Sequence, residues 1–388
     1  MKINMLRAAA LGLGLGLGLA TSAHAQDIKL PNTLTLTAYE TGSNAFNQAV
    51  AVGQMMKTRF GTDLRVLPAG NDVARLGPLR QGRAQLTSTG IGMYFAQEGV
   101  LEFGQREWGP QSVQLLLAAL TCSGQSLGAA KDSGVRTAKD VIGKRAGVVV
   151  GSPAATYSMQ ALISFGGGTF QNVKTVEFAS YGALMKGVVN NEIDLFFAST
   201  ISGQAKEIES SPRGIVWVPM PTADTEGWKR LQAIAPYFYP HTASCGAGIK
   251  AEDPVPTSVY PYPLFMAYAT QPDPLIHDIT KSMLSHYDDY KNTVVGVDGL
   301  EGKRQNLTWI LPYHAGAVRA LKGAGVWTDA AQKHNDMLWK RQKTLADAWA
   351  AYAKTGPSDD KAFRTGWMAA RRAALKAAGL EVGYDEAG

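Results

Sequence analysis

The chain of 388 residues is poor in the residues that metal and redox chemistry use, with two cysteines and six histidines. His241, His277, His286, His314 and His334 never stand four apart on a helix, as a His-Glu-x-x-His zinc site requires. The phosphate-loop pattern Gly-x-x-x-x-Gly-Lys-Ser/Thr is absent. The Gly-x-Gly-x-x-Gly fingerprint is missing at the glycine-rich turn where a strand would feed a helix. Charge of one sign is also scarce: 38 basic residues face 32 acidic ones in mixed runs. Nucleic-acid binders usually show a clustered basic face, so that partner is not expected. Asp288-Asp289 and Asp359-Asp360 lie in polar surroundings and read as solvated faces or helix caps, not acid–base pairs. No metal and no cofactor is expected.

Long apolar runs are lacking as well. The first 25 residues carry a basic start (MKINMLR), an apolar stretch (AAALGLGLGLGLA) and the small–x–small triplet Ala23-His24-Ala25. That is the pattern of a signal peptide cleaved after Ala25, and the stretch is too short and glycine-rich to span a bilayer. Loss of Lys2 and Arg7 lowers the formal charge from +6 to +4. The expected location is the bacterial periplasm. No later stretch approaches eighteen apolar residues. Some 360 residues exceed one ordinary core and suggest two lobes.

What the chain does have is α/β rhythm. NTLTLTAY alternates as a half-buried strand, AFNQAVAVGQMMKTRFG repeats at helical spacing, and Gly61 suits the C-terminal cap. LRVLPAG, DVARLGPLRQG and AQLTSTG continue as strand, helix and strand, which implies parallel pairing with right-handed crossovers. Gly92 to Pro110 reads as a loop, and SVQLLLAALT as a buried strand. A second block follows. KDVIGKRAGVVVGS reads as a short helix running into a strand, and AATYSMQALISFGG as the next helix. VKTVEFA, YGALMKGVVNNE and IDLFFAST continue as strand, helix and strand. Past Cys245, proline-rich loops alternate with helices. Two long helices, near 328–354 and 360–379, close the chain, the second capped by Ser358-Asp359.

The run VVVGSPAATY at 148–157 brings Gly151, Ser152 and Thr156 together without a charge. A phosphate loop would need a lysine. A nucleophile on a sharp turn has one match elsewhere, the Gly-x-Ser-x-Gly of GQSLG around Ser126, which keeps a secreted α/β hydrolase open as an alternative. The third reading is an uncharged cradle. A helix N-terminus presents free N–H groups and partial positive charge to an anion, and hydroxyls add directed bonds. Thr41-Gly42-Ser43-Asn44 in the first block offers the same chemistry as 151–156 in the second, so a site between two lobes is expected.

Five segments in order resemble the TAXI solute-binding proteins of TRAP transporters. They are Thr41-Gly42-Ser43, PAGNDVARLGPLRQGRAQL, DVIGKRAGVVVGSPAAT, NEIDLFFASTISG and LPYHAGAVRALKGAGVW. The last carries Ala315 where the family has proline. The resemblance implies an α/β, two-lobed periplasmic binding protein of type II-like fold. Mainly parallel sheets flanked by helices would be joined by a hinge and extended by extra C-terminal helices. Residues 26–121 would form the first part of lobe 1, 122–245 lobe 2, and 246–388 the return to lobe 1 with the C-terminal helices. It also implies a non-enzymatic monomer that closes over a small organic carboxylate and delivers it to TRAP membrane permease subunits. A binding module that serves a sensor is the other alternative.

Two departures bear on the ligand. Asp72 and Arg75 stand where the family has Ser and Asn. Arg75 either clamps a carboxylate or pairs with Asp72 on a surface at i,i+3. Thr89, Met93, Tyr94 and Phe95 make the expected wall more apolar and aromatic. Tyr39, Asn71, Ala155, Tyr157, Tyr181, Thr200 and Ser202 complete the candidate ligand set, at strand ends or helix starts. His314 reads as a packing or capping histidine. Cys122 and Cys245, if bridged, would sit at the lobe crossings.

Overall fold

The computed structural model describes residues 28–384, so the expected signal peptide lies outside the described residues. The first strands confirm the alternating reading: β1 (Thr33–Ala38) buries Leu34, Leu36 and Ala38 on one face. It pairs in parallel with β2 (Asp63–Pro68) and β3 (Leu86–Thr89), through crossovers α1 (Asn44–Phe60) and α2 (Asp72–Arg80). Ser43 caps α1 through its side chain, and Gly61 ends it in the left-handed conformation. β4 (Val113–Ala118) is buried on both faces, as its largely apolar sequence suggests, and its one polar residue, Gln114, donates to Gln342 at 3.1 Å.

Among the described residues there are two five-stranded sheets. The second contains β5 (Gln125–Ala130), β6 (Arg145–Val149), β7 (Lys174–Phe178), β8 (Leu195–Ser199) and β9 (Ile215–Trp217). Its order is β7-β6-β8-β5-β9. Helices α4 (Pro153–Phe165), α5 (Tyr181–Val189) and α6 (Gly203–Ser210) lie between these strands in sequence. After α7 (Thr225–Ile234), a hairpin of β10 (Tyr239–Ala243) and β11 (Val255–Val259) leads back to β12 (Leu264–Tyr268). β12 inserts antiparallel between β3 and β4, so the first sheet runs β2-β1-β3-β12-β4. Both sheets therefore share one plan: three parallel strands, then an antiparallel strand from the chain that crosses between sheets, then an outer strand. That is the two-lobed, type II-like α/β architecture.

Three local readings are corrected. The segment from Gly92 holds a helix, α3 (Gly92–Glu98), buried along its whole length, because its apolar residues face packing on every side. Residues 139–143 make turns and not a helix. GQSLG is not a nucleophile elbow. Ser126 lies inside β5, paired antiparallel with Ala198 of β8, and its hydroxyl is buried without a hydrogen-bond partner. A strand interior cannot present a nucleophile on a strand-to-helix turn.

After α8 (Asp273–Ser285) and α9 (Ala315–Gly323), the chain ends in α10 (Asp329–Tyr352) and α11 (Asp360–Ala377), which pack on one another and on α3. Their anchor is Glu98, fully buried, which binds Arg341 at 2.6–2.7 Å and also pairs with Arg371. Burial pushes the Glu98 carboxyl up, but the two guanidiniums more than reverse this and hold it below its usual value. Cys122 and Cys245 form a disulfide with Cα atoms 5.6 Å apart, beside the β10–β11 hairpin.

Candidate functional site

The two sheets face each other across a cleft at the carboxyl ends of their parallel strands. Tyr39 follows β1, and Phe197, Ala198 and Ser199 end β8. Such ends are where open α/β sheets bind ligands. Between them lies a cavity of about 30 Å³ lined also by Ser43, Gln125, Ser152, Ala154, Ala155, Tyr181, Ser202, Tyr260 and Tyr262. It is water-sized, and no charged side chain lines it.

Its walls divide by chemistry. Tyr39, Tyr181, Tyr260 and Tyr262 form a chain of rings, with Tyr39 centred 6.3 Å from Tyr181 and 6.2 Å from Tyr262. Burial pushes all four phenols far above their ordinary pKa, so they remain neutral donors. Gly90 is required here, since a Cβ would come within 2.9 Å of the Tyr260 hydroxyl and 3.0 Å of that of Tyr39. The opposite wall is polar and uncharged. Gln125 and Ser199 are register partners on β5 and β8, 2% and 5% exposed, and Gln125 Nε2 and Ser199 Oγ have no partner. Ser43 and Ser202 accept from N–H groups of their own helices, Phe46 and Ala205, which leaves each hydroxyl hydrogen free to donate.

At 151–156 the start of α4 is already filled. Ser152 makes no side-chain cap to α4. Its hydroxyl donates to Asp72 Oδ2 at 3.0 Å, and the Ala154 N–H donates to the same oxygen at 2.9 Å. Asp72 comes from α2, beyond the first sheet, so one lobe caps a helix of the other. Two more helices follow this pattern. At α5, the Gly182 N–H bonds Glu40, and the Tyr181 N–H bonds Gly70 O at 3.1 Å. At α6, the Gly203 N–H bonds Gly42 O at 3.0 Å, and Gln204 Nε2 reaches Thr41 O at 3.4 Å. Free N–H groups at helix starts need acceptors, and here the facing lobe supplies them.

Arg75 does pair with Asp72, but inside the protein, with both side chains 0% exposed. The sequence places both on one helix face and cannot say what covers that face. The Arg75 Nε also donates to Thr89 Oγ1 at 3.1 Å and Nη1 to Ala69 O at 3.2 Å, while its guanidinium stacks 3.6 Å from the Tyr39 ring centre. With those bonds made, it supports Tyr39 from behind and presents no free fork to a ligand.

Of the expected ligand residues, Tyr39, Ser43, Ser152, Ala155, Tyr181 and Ser202 meet at the cavity. The others have structural partners. Asn44 Oδ1 accepts from Gln48, and Asn71 caps α2 through the Ala74 N–H. Gly151 adopts φ +71°, and its carbonyl accepts from Val73 N. Thr156 Oγ1 points back to Val149 O at 3.5 Å, so it is no cradle donor. Tyr94 and Tyr157 pack in an aromatic cluster with Phe95 and Tyr384. Thr200 stitches the crossing: its hydroxyl donates to Cys245 O at 2.9 Å and accepts from the Gly124 N–H at 3.1 Å. His314 caps α9 through the Gly316 N–H, and burial pushes its pKa down. Sequence reasoning missed Gln125, Phe197, Ser199, Tyr260 and Tyr262: the first lies within GQSLG and the next two within NEIDLFFASTISG, but neither pattern singles them out. Tyr260-Pro-Tyr262 sits in the proline-rich segment before β12, where only the return of the chain to the first sheet brings it to the cleft.

The chain matches the NMT1-like family over residues 39–325, well over half of its length, and belongs to that family. No curated protein matches it by sequence. Among solved structures it also shows distant similarity. An ancestral arginine-binding protein bound to glutamine is 13% identical, with 69% of this chain and all of that one covered, at a TM-score of 0.42. The alkanesulfonate-binding protein SsuA from Xanthomonas axonopodis pv. citri bound to MOPS is also 13% identical. There 85% and 96% of the two chains are covered, at a TM-score of 0.40. An arginine 3rd transport system periplasmic binding protein from Legionella pneumophila is 15% identical, covering 67% and 95%, at 0.41.

Proposed function

We propose that this chain is a periplasmic solute-binding protein of the TAXI type, not an enzyme. In this reading 26–121 and 246–388 form one lobe, 122–245 form the other, and the monomer closes over a small organic carboxylate for a TRAP-type permease. The observation that carries the reading is the uncharged cavity between the sheets, walled by tyrosines on one side and by neutral donors on the other. Ser43, Ser202, Gln125 and Ser199 supply hydrogen-bond donors to the cavity. The N-terminus of α1 adds partial positive charge on the same side. A carboxylate suits that set, and the rings suit an apolar or aromatic body. A cavity of about 30 Å³ is too small for a carboxylate with an apolar body, so the lobes would part to admit one. Closure then traps the ligand through differential affinity for the closed state.

The test is a thermal-shift screen of refolded protein against aliphatic and aromatic monocarboxylates, amino acids and keto acids. Ligand at 100 times its dissociation constant stabilises by about 2.7 kcal/mol, a shift of several degrees. The Gln125→Ala and Tyr181→Ala variants are expected to lose it. A screen in which no acid moves the wild-type melt would remove the carboxylate reading. Pull-down of membrane permease subunits with ligand-loaded protein tests the delivery step.

A further inference from the structure

We infer that Asp72 is a specificity determinant. It fills, from the opposite lobe, the anion seat at the start of α4, and so restricts the cargo to molecules bearing no more than one acidic group. The inference rests on the proposed carboxylate function and deepens it. The seat has real donors, the Ser152 hydroxyl and the Ala154 N–H at 3.0 and 2.9 Å, and Arg75 stands beside it with no solvent exposure. Ser152 and Ala154 also line the ligand cavity, so the seat and the cavity are contiguous. A cargo with acidic groups at both ends would place one against Gln125, Ser199, Ser43 and Ser202 and the other at this seat. Asp72 already occupies it with a carboxylate of its own. A second carboxylate there would meet like charge in a buried site, which opposes its binding. The unpartnered Gln125 Nε2 and Ser199 Oγ, nine-tenths or more buried, are a second and independent sign that the cavity takes one polar head.

Removing the carboxylate while leaving Arg75 should turn the seat into an open clamp for an external acid. The experiment compares full-length wild type, Asp72→Ser and Asp72→Ser/Arg75→Ser by thermal melt in acetate and in chloride at equal ionic strength. Acetate should raise the melting temperature of Asp72→Ser by several degrees and leave wild type and the double variant unmoved. If Asp72→Ser does not fold in chloride, refolding yield in acetate against chloride reads the same property. No acetate effect on Asp72→Ser, or an equal effect on wild type, overturns the seat.

The second arm uses pentanoate and glutarate, one skeleton with one and two acids, by calorimetric titration. Wild type should prefer pentanoate by at least about tenfold, and Asp72→Ser should prefer glutarate. A wild type that binds glutarate as tightly as pentanoate overturns the inference. If wild type binds neither, the same comparison is made with the acid that shifts the melt in the screen and its two-acid counterpart; a screen with no such acid removes the carboxylate function, and the acetate arm still decides whether Asp72 fills the seat.

Discussion

The disulfide between Cys122 and Cys245 offers the sharpest test of how the two lobes are held. It spans 123 residues of sequence and closes a loop that contains the whole second sheet. In the chain-entropy treatment, a cross-link over a loop of that length lowers the entropy of the unfolded chain by an amount worth about 5 kcal/mol at 25 °C. Replacing both cysteines by alanine restores that freedom. Native contacts near the bridge remain: the Ser244 N–H still bonds Cys122 O at 3.0 Å, and Thr200 still ties Cys245 O to Gly124. Urea unfolding of Cys122→Ala/Cys245→Ala against the oxidised wild type is the assay. With a slope of about 3 kcal/mol/M, the midpoint should fall by roughly 1 to 2 M. Reduced wild type should behave like the double variant. Because the bridge lies beside the hairpin and not in the cavity, ligand affinity should change by less than about threefold, under 1 kcal/mol. An unchanged midpoint, or two free thiols in the protein as purified from an oxidising compartment, would refute the reasoning.

Two further predictions concern buried charge. Glu98→Gln leaves Arg341 and Arg371 without their anion, and removing one partner of a buried ion group costs about 3–5 kcal/mol. The melting temperature should drop, and protease should cut first in α10 and α11; an unchanged melt with protected helices would contradict it. Asp194 receives bonds from Arg145 at 2.6 and 3.0 Å and from Arg213 at 3.1 Å. Burial pushes its carboxyl up, and these bonds more than reverse that, down to about 2. A carboxyl depressed on folding stabilises above its unfolded pKa and loses that contribution as pH falls. The loss should therefore run from about pH 4 to pH 2. Asp194→Asn should be less stable at neutral pH and show a shallower fall in urea midpoint over that window. An equally steep fall in the variant would assign the acid sensitivity elsewhere.

Much of the fold is legible because its causes are local. The alternation in NTLTLTAY, the apolar run 115–118 of β4, Gly61 in its left-handed cap and Asp359 before α11 each act through neighbours within a few residues. The glycine–serine turns at 42–43 and 151–152 are legible for the same reason. The elbow reading failed for a tertiary reason. In GQSLG, spacing alone does not distinguish a turn from the strand that β8 and β9 enforce on it.

By itself, then, the sequence determined most of the order of strands and helices, the two α/β blocks and the helix starts that converge on the cleft, though not α3 or the turns at 139–143. Those follow from side-chain period and capping chemistry. Only the tertiary structure decided who meets whom at that cleft: Asp72 in the α4 seat, Arg75 buried behind Tyr39, Gln125 beside Ser199, and Tyr260 and Tyr262 returned to the first sheet. An i,i+3 acid–base pair looks the same in sequence whether water or a second lobe covers it. Burial and partnership across 80 residues are set by how the sheets close on each other, which no local pattern encodes.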